Sequence, residues 1–194
     1  MSAPAFVVVA GANGAGKSTL TQSRLPFFSQ FPLLDPDAIA NTIRPSGLHA
    51  TALTAGRKVL ERVGSYLETK QSFAVETTLA GRNYLRVIAD ARDRGYHVTL
   101  VYIGTENVEI NLARIASRVL TGGHNVPEAD VRRRYLRSFQ HLPLAIALAD
   151  AVILFDNSSN HGYQFVGVGN KRNFRWIEPL PDWAVSLKND CLIP

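Results

Sequence analysis

Three glycines at positions 11, 14 and 16, followed by Lys17, Ser18 and Thr19, are the first residues here whose types and spacing suggest chemistry. Gly11-Ala12-Asn13-Gly14-Ala15-Gly16-Lys17-Ser18 fits G-x-x-x-x-G-K-[ST], the pattern of a loop whose backbone N–H groups cradle phosphates. This chain's own residue frequencies leave roughly 0.3 per cent for an accidental match, so a fortuitous glycine turn is set aside. In such a loop the lysine carries charge to the β- and γ-phosphates and the Ser18 hydroxyl suits Mg²⁺. ATP with Mg²⁺ is therefore expected at Gly11–Thr19. A second group consists of carboxylates and hydroxyls after apolar runs: Asp35 and Asp37 in FPLLDPD, and Glu76 with Thr77 and Thr78 in SFAVETT. A carboxylate that orients and deprotonates a hydroxyl is what transfer of a phosphoryl group to an alcohol requires. Asp35 reads better as a turn residue beside Pro36. Asp37 lies beyond a strand end on the loop side, and Glu76 is expensive to bury unless it has work to do.

These groups need a scaffold that brings them to one edge. Apolar β-branched residues before Gly11 form a first strand, and Ser18 to about Arg24 reads as a short helix closed by Pro26. Phe31 to Asp37 is a second strand, Ser72 to Thr78 a third, His97 to Gly104 a fourth and Ala151 to Phe155 a fifth. Helices are expected over Ala50–Thr69, over Arg82–Arg94 with Gly95 as its stop, over Val108–Leu120 and over Pro127–Leu142. YQFVGVG and NFRWIE read as a terminal β-hairpin, about 162–178, with Trp176 and Trp183 as packing residues of the C-terminal section. Alternating strands and helices imply a three-layer α/β fold with a mostly parallel five-stranded sheet. Its ligands bind beyond the carboxyl ends of the strands, which carry Gly11, Asp35 and Asp37, Glu76 and Thr78, and Asp156-Asn157. The strand ending in Glu76 is placed beside the loop strand. Asp156 and Asn157, on the last parallel strand, are placed on the adenine side of the nucleotide.

Arginine outnumbers lysine sixteen to five, and six arginines fall between Arg114 and Arg137. An arginine fork binds phosphate oxygens in pairs, whereas lysine acts as a point charge. On Val108–Leu120 the apolar face is Val108, Leu112, Ile115 and Val119, with Arg114 and Arg118 on one adjoining stripe. On Pro127–Leu142 the face is Val131, Tyr135, Phe139 and Leu142, and Arg134 and Arg137 point away from it. Opposite a phosphate loop, two such helices (about 108–142) read as a movable lid that neutralises a transferring phosphoryl group.

GANGAGKST, LLDPDAIA, SFAVETTLAGR, RVLTGGHNVPEADVRRRYLRS and ADAVILFDNSS, in this order, resemble the zeta toxin family over about residues 7 to 159. The resemblance implies a P-loop kinase fold and an enzyme that uses ATP and Mg²⁺ to phosphorylate a sugar hydroxyl of UDP-N-acetylglucosamine. It also implies restraint by an antitoxin. Carried onto this sequence, it makes Lys17 the lysine of the β- and γ-phosphates, Ser18 the metal-binding hydroxyl and Asp37 the catalytic base. Glu76 and Thr78, with Arg82 at the end of the same stretch, become the acceptor-binding residues. Arg118 becomes the first arginine on the phosphates. The second family arginine falls on His124, a departure for which Arg134 or Arg133 is the nearest replacement, and the chain is short after the fifth strand.

At 194 residues the chain suits a single domain with a substantial core. Its lone cysteine, Cys191, excludes an intrachain disulfide. The apolar run Phe6–Ala10 is too short for a membrane span and lacks the basic lead of a signal peptide, so a cytoplasmic enzyme is expected. The histidines His49, His97, His141 and His161 show no metal-ligand spacing, and no basic stripe interleaves with aromatics to hold a nucleic-acid strand. Alternatives to a sugar-nucleotide kinase are a kinase of nucleosides, antibiotics or polynucleotide 5′-hydroxyl ends, and a nucleotide-dependent binding protein without transfer chemistry.

Overall fold

A computed structural model describes residues 2–23, 29–35 and 52–190. Asp37, Pro26, His49 and Cys191 lie outside the described residues. The apolar run before the loop forms β1 (Ala5–Ala10), and Lys17–Thr21 forms the short α1. There follow β2 (Leu33–Leu34), α2 (Ala52–Thr69), β3 (Phe73–Thr77), α3 (Arg82–Asp93) and β4 (His97–Gly104). The remainder is α4 (Val108–Leu120), α5 (Glu128–Leu148), β5 (Ala151–Asp156), β6 (Gln164–Gly169), β7 (Phe174–Trp176) and α6 (Asp182–Asp190).

All seven strands form one sheet in the order β2-β3-β1-β4-β5-β6-β7. The first five run parallel, as expected. The C-terminal hairpin is not an appendage: β6 pairs antiparallel with β5, β7 with β6, and the sheet grows from five strands to seven. An edge strand left bare would offer unpaired backbone groups, and β6 satisfies those of β5. β1 lies centrally, with β3 on one side and β4 on the other, so the chain reverses its winding direction there. That switch point opens a crevice at the carboxyl ends.

Alternate strand residues face opposite layers. Phe6, Val8, Phe73, Val75, Leu100, Tyr102 and Leu154 join Val59, Val63 and Leu67 of α2, Ile88 of α3 and Leu142, Ala145 and Ile146 of α5 in the larger core. Val7, Val9, Ala74, Val101 and Ile103 face the other way, onto Ala15 and Leu20 of the loop and α1. The phosphate loop is thus seated on the core rather than hung from it.

α5 differs most from expectation. Periodicity ends it at Leu142, before Pro143, yet it runs on to Leu148 with Pro143 inside. Proline removes one helical hydrogen bond and crowds the preceding turn, but complete burial of Leu142 and Ala145 offsets that loss. The distal half of α5, from Phe139 onward, is therefore core. Its proximal half packs with α4 through a separate small cluster of Ile115, Val126 and Val131. The C-terminal section also contains a helix that its sequence did not announce, α6. Trp183 of α6 lies so close over Gly104 that a Cβ there would stand 2.5 Å from the indole, so only glycine fits at the end of β4.

Candidate active site

The register of β1 and β3 sets Val9 beside Glu76 and Ala10 beside Thr77, so the third strand delivers its carboxylate next to the exit into the loop. Glu76 is 3 % exposed. Its Oε2 accepts a hydrogen bond from Ser18 Oγ at 2.8 Å, and its Oε1 accepts one from Thr21 Oγ1. Lys17 Nζ donates to Ala12 O at 3.0 Å within its own loop. Burial pushes the Glu76 carboxyl above its ordinary range; the Thr21 hydrogen bond, the Lys17 charge and the Ser18 hydrogen bond oppose this, and Asp35 adds to it. A folded-state value above the unfolded one means that the neutral acid favours folding: this contribution is complete below the ordinary carboxylate range and is lost as pH rises through the raised value. Glu76→Gln is therefore expected to melt higher than the parent at neutral and alkaline pH, with the margin closing in acid. Melting curves from about pH 4 to 9 check this, and a margin independent of pH contradicts it.

Thr77 and Thr78 divide their tasks. Thr77 is buried, and its hydroxyl accepts from Leu79 N at 3.0 Å, bracing a turn in which Leu79 adopts φ 56°. His141 Nδ1 meets the Leu79 carbonyl at 2.8 Å from α5. Thr78 is half-buried just past the end of β3, and Arg82 is exposed at the first position of α3. The aspartate pair is met only in part: Asp35 directly follows β2, which lies on the far side of β3 from β1.

Three-dimensional packing sorts the arginines. Arg132 bridges Glu109 of α4 at 2.7 Å and Glu128 at 2.8 Å, and Arg133 pairs with Asp130; these are exposed surface pairs. Arg114 is half-buried and donates to the carbonyls of Asn157 and Ser159 at 2.6 and 3.4 Å, so it latches α4 to the segment after β5. Arg134 reaches Asn13 Oδ1 in the phosphate loop at 3.3 Å. Arg118, in the last turn of α4, is exposed and donates to His124 O at 2.8 Å. His124 thus meets Arg118 through its backbone. Of the residues after β5, Asp156 is buried, its carboxylate accepting from Trp183 Nε1 at 2.9 Å, Ser158 N at 3.0 Å and Ser158 Oγ at 2.7 Å. Asn157 donates from Nδ2 to Ala15 O at 2.9 Å.

A glycine-turned loop at a switch point, a lysine within it and a hydroxyl shared with a buried carboxylate make a phosphate site, and the sequence profile of zeta toxin matches residues 1–168. The chain belongs to the zeta toxin family. Family and fold are those of an ATP-dependent kinase. An uncharacterized protein of Haemophilus influenzae is 38 % identical to this zeta-family chain over 128 residues, covering 64 % of it and 88 % of the relative. Among solved structures, the AvrRxo1-ORF1:AvrRxo1-ORF2 complex with sulphate ions superposes with TM-score 0.70 at 15 % identity, over 91 % of this chain and 61 % of that one. The same pair solved with ATP gives 0.71 at 15 % identity, over 96 % and 63 %. The PezAT toxin-antitoxin system of Streptococcus pneumoniae gives 0.62 at 17 % identity, over 87 % and 72 %. The zeta-family chain thus spans about three fifths of the AvrRxo1-ORF1 complex chain it matches.

No helix among the described residues is long and apolar enough to cross a membrane, and none of them form a group of three or more His, Cys, Asp or Glu side chains able to hold a metal ion. A metal held with nucleotide phosphates would not require such a group: Ser18 and Glu76 present oxygen donors of the kind Mg²⁺ prefers. Asn111 and Tyr163 carry no signal in the sequence, and Trp183, expected only to pack, also donates to Asp156. Each acts on a partner far along the chain, and only the buried polar character of Asn111 on an otherwise amphipathic helix hints at a task.

Proposed function

We propose that the protein transfers the γ-phosphoryl group of ATP to a hydroxyl of a sugar nucleotide, UDP-N-acetylglucosamine or a close relative, with Asp37 as base, and that an antitoxin restrains it. The observation that carries this reading is the Lys17–Ser18–Glu76 constellation at the adjoining ends of β1 and β3. Ser18 donates its proton to Glu76, which leaves the hydroxyl lone pairs directed elsewhere, as a metal-binding hydroxyl requires. Mg²⁺ held by Ser18 and Glu76 would supply positive charge against the nucleotide phosphates. Lys17 exchanges its carbonyl partner for phosphate oxygens. Asp37 takes the proton of the acceptor hydroxyl, whose oxygen forms a bond to the γ-phosphorus as the bond to the β–γ bridging oxygen breaks, leaving ADP. Thr78 and Arg82 hold the acceptor, and Glu76 stands between acceptor and loop. An antitoxin partner is supported by the family and by the toxin-antitoxin system named among the similar structures.

The test combines an acceptor screen with one substitution. Nucleotide sugars, nucleosides and oligonucleotides are offered with labelled ATP and products read by mass spectrometry. Asp37→Asn is nearly the same shape but cannot accept the proton. It is expected to keep ATP affinity by calorimetry and to lose turnover by about 10²- to 10⁴-fold, the range of general-base contributions; Asp35→Asn is expected to be milder. Parent-like turnover by Asp37→Asn would sink the assignment, with Glu76 the next base to test.

A further inference from the structure

A phosphate loop works only if its N–H groups point inward together. Each peptide unit is planar and trans, so the N–H of one residue points opposite to the C=O of the residue before it. Whatever holds the loop carbonyls outward therefore aims its amides inward. Ala12 O is held within the loop, by Ala15 N at 3.2 Å and Lys17 Nζ at 3.0 Å. Three more are held from outside. Asn13 O accepts Asn111 Nδ2 of α4 at 2.7 Å. Ala15 O accepts Asn157 Nδ2 at 2.9 Å, and Gly16 O accepts the Tyr163 hydroxyl at 2.6 Å together with Leu20 N of α1 at 3.1 Å.

Each donor is itself fixed. Asn111 is fully buried and its Oδ1 accepts from Thr105 Oγ1 at 2.6 Å, so its amide has one orientation available. Asn157 is held by its backbone, N to Gly104 O at 3.0 Å and O to Arg114 Nη1 at 2.6 Å. The Tyr163 ring packs edge-on against Phe155 at 6.1 Å, and burial raises its phenol so that it remains a donor. The fit behind Gly16 is close: its φ is +104°, and a Cβ there would stand 2.5 Å from Asn157 Nδ2 and 3.0 Å from the Tyr163 hydroxyl.

We propose that Asn111, Asn157 and Tyr163 are positioning residues that, by taking the carbonyls of Asn13, Ala15 and Gly16, aim the amides of Gly14, Gly16 and Lys17 at the phosphates of a bound nucleotide. The brace rests on the reading of this loop as a nucleotide site. It gives the segment between β5 and the terminal hairpin a part in nucleotide binding, since Asn157 and Tyr163 stand at its two ends.

Tyr163→Phe keeps the ring and removes only the donor, and Asn157→Ala removes the second, both outside the buried interior that Asn111 occupies. Binding of ADP is measured by calorimetry and of adenosine by ligand-observed NMR, on the full chain. Each single variant is expected to bind ADP about 5- to 10-fold more weakly, the worth of one hydrogen bond, and the double variant weaker still. Adenosine, which lacks phosphates, is expected to bind as it does to the parent. A parallel loss of adenosine binding would overturn the proposal in favour of a general structural role or a contact with the base, and unchanged ADP affinity would overturn it outright. The parent protein is the control for the site itself: if it fails to bind ADP more tightly than adenosine, the nucleotide reading falls and the brace with it.

Discussion

Lys17→Ala is expected to remain folded and to lose phosphoryl transfer by about 10³-fold or more, the upper range for deleting one preorganised electrostatic contact. Lys17 is half-buried at the start of α1, with its ammonium resting on Ala12 O at 3.0 Å. That hydrogen bond lies within the loop and the start of α1, and Lys17 belongs to neither large core cluster, so the sheet and core are expected to remain intact. The expected loss is chemical. The charge that would follow the γ-phosphoryl group through transfer is gone, and the Glu76 carboxyl loses one of the influences holding its proton affinity down. Turnover with the acceptor found in the screen, alongside circular dichroism and a melting curve, decides the matter. A folded Lys17→Ala protein with parent-like turnover would remove phosphate binding by this loop from the account.

Arg118→Ala is expected to lower kcat by about 10³-fold while changing KM for ATP far less, as for an arginine that acts on the transferring phosphoryl group. The structure separates Arg118 from its neighbours. Arg132 and Arg133 are engaged in surface ion pairs, and Arg114 in two backbone carbonyls. Arg118 is exposed in the last turn of α4 and donates to the His124 carbonyl, six residues further along the chain. Exchanging a solvent-exposed carbonyl for a phosphate costs little, so this side chain can move when nucleotide and acceptor arrive. Arg118→Lys is expected to restore little activity, because an ammonium lacks the planar fork that meets two phosphate oxygens at once. The reverse pattern, a raised KM with kcat intact, would mark Arg118 as a ground-state binder.

α4 is also less free than a lid in the sense of a hinged flap. Asn111 and Arg114 tie its first half to the phosphate loop and to the segment after β5, and Arg132 ties it to α5. Any motion that carried Arg118 to bound phosphates would therefore be confined to the last turn of α4 and the loop to Pro127. In the same region, Arg134 already touches Asn13 of the phosphate loop at 3.3 Å.

Local signals carried a large part of this reading, because their physics is local. The glycine spacing and Lys17-Ser18 specify a loop within eight residues, and the alternation of β-branched runs with amphipathic stretches specifies strands, helices and hence a parallel sheet. The neighbour relation of β3 and β1 also followed, since short crossovers leave few orders open to such a chain. What the tertiary structure decided lies at long separations. Glu76 meets Ser18 58 residues away, Asn111 meets Asn13 across 98, and Tyr163 meets Gly16 across 147. No propensity or period encodes such pairs; they exist because the sheet order brings the ends of β1, β3, β4 and β5 together. The same holds for the arginines, which are alike in sequence and differ only in which carbonyl or carboxylate the packing sets within reach. It holds too for Pro143, where burial of the residues around it outweighs a local breaker, and for Asp156, a strand-end carboxylate that Trp183 engages from the C-terminal helix. Composition and spacing determine that a phosphate site forms. The packing of distant elements determines which side chains are left to act in it, because a polar group is available for chemistry only after the buried hydrogen bonds around it have been satisfied.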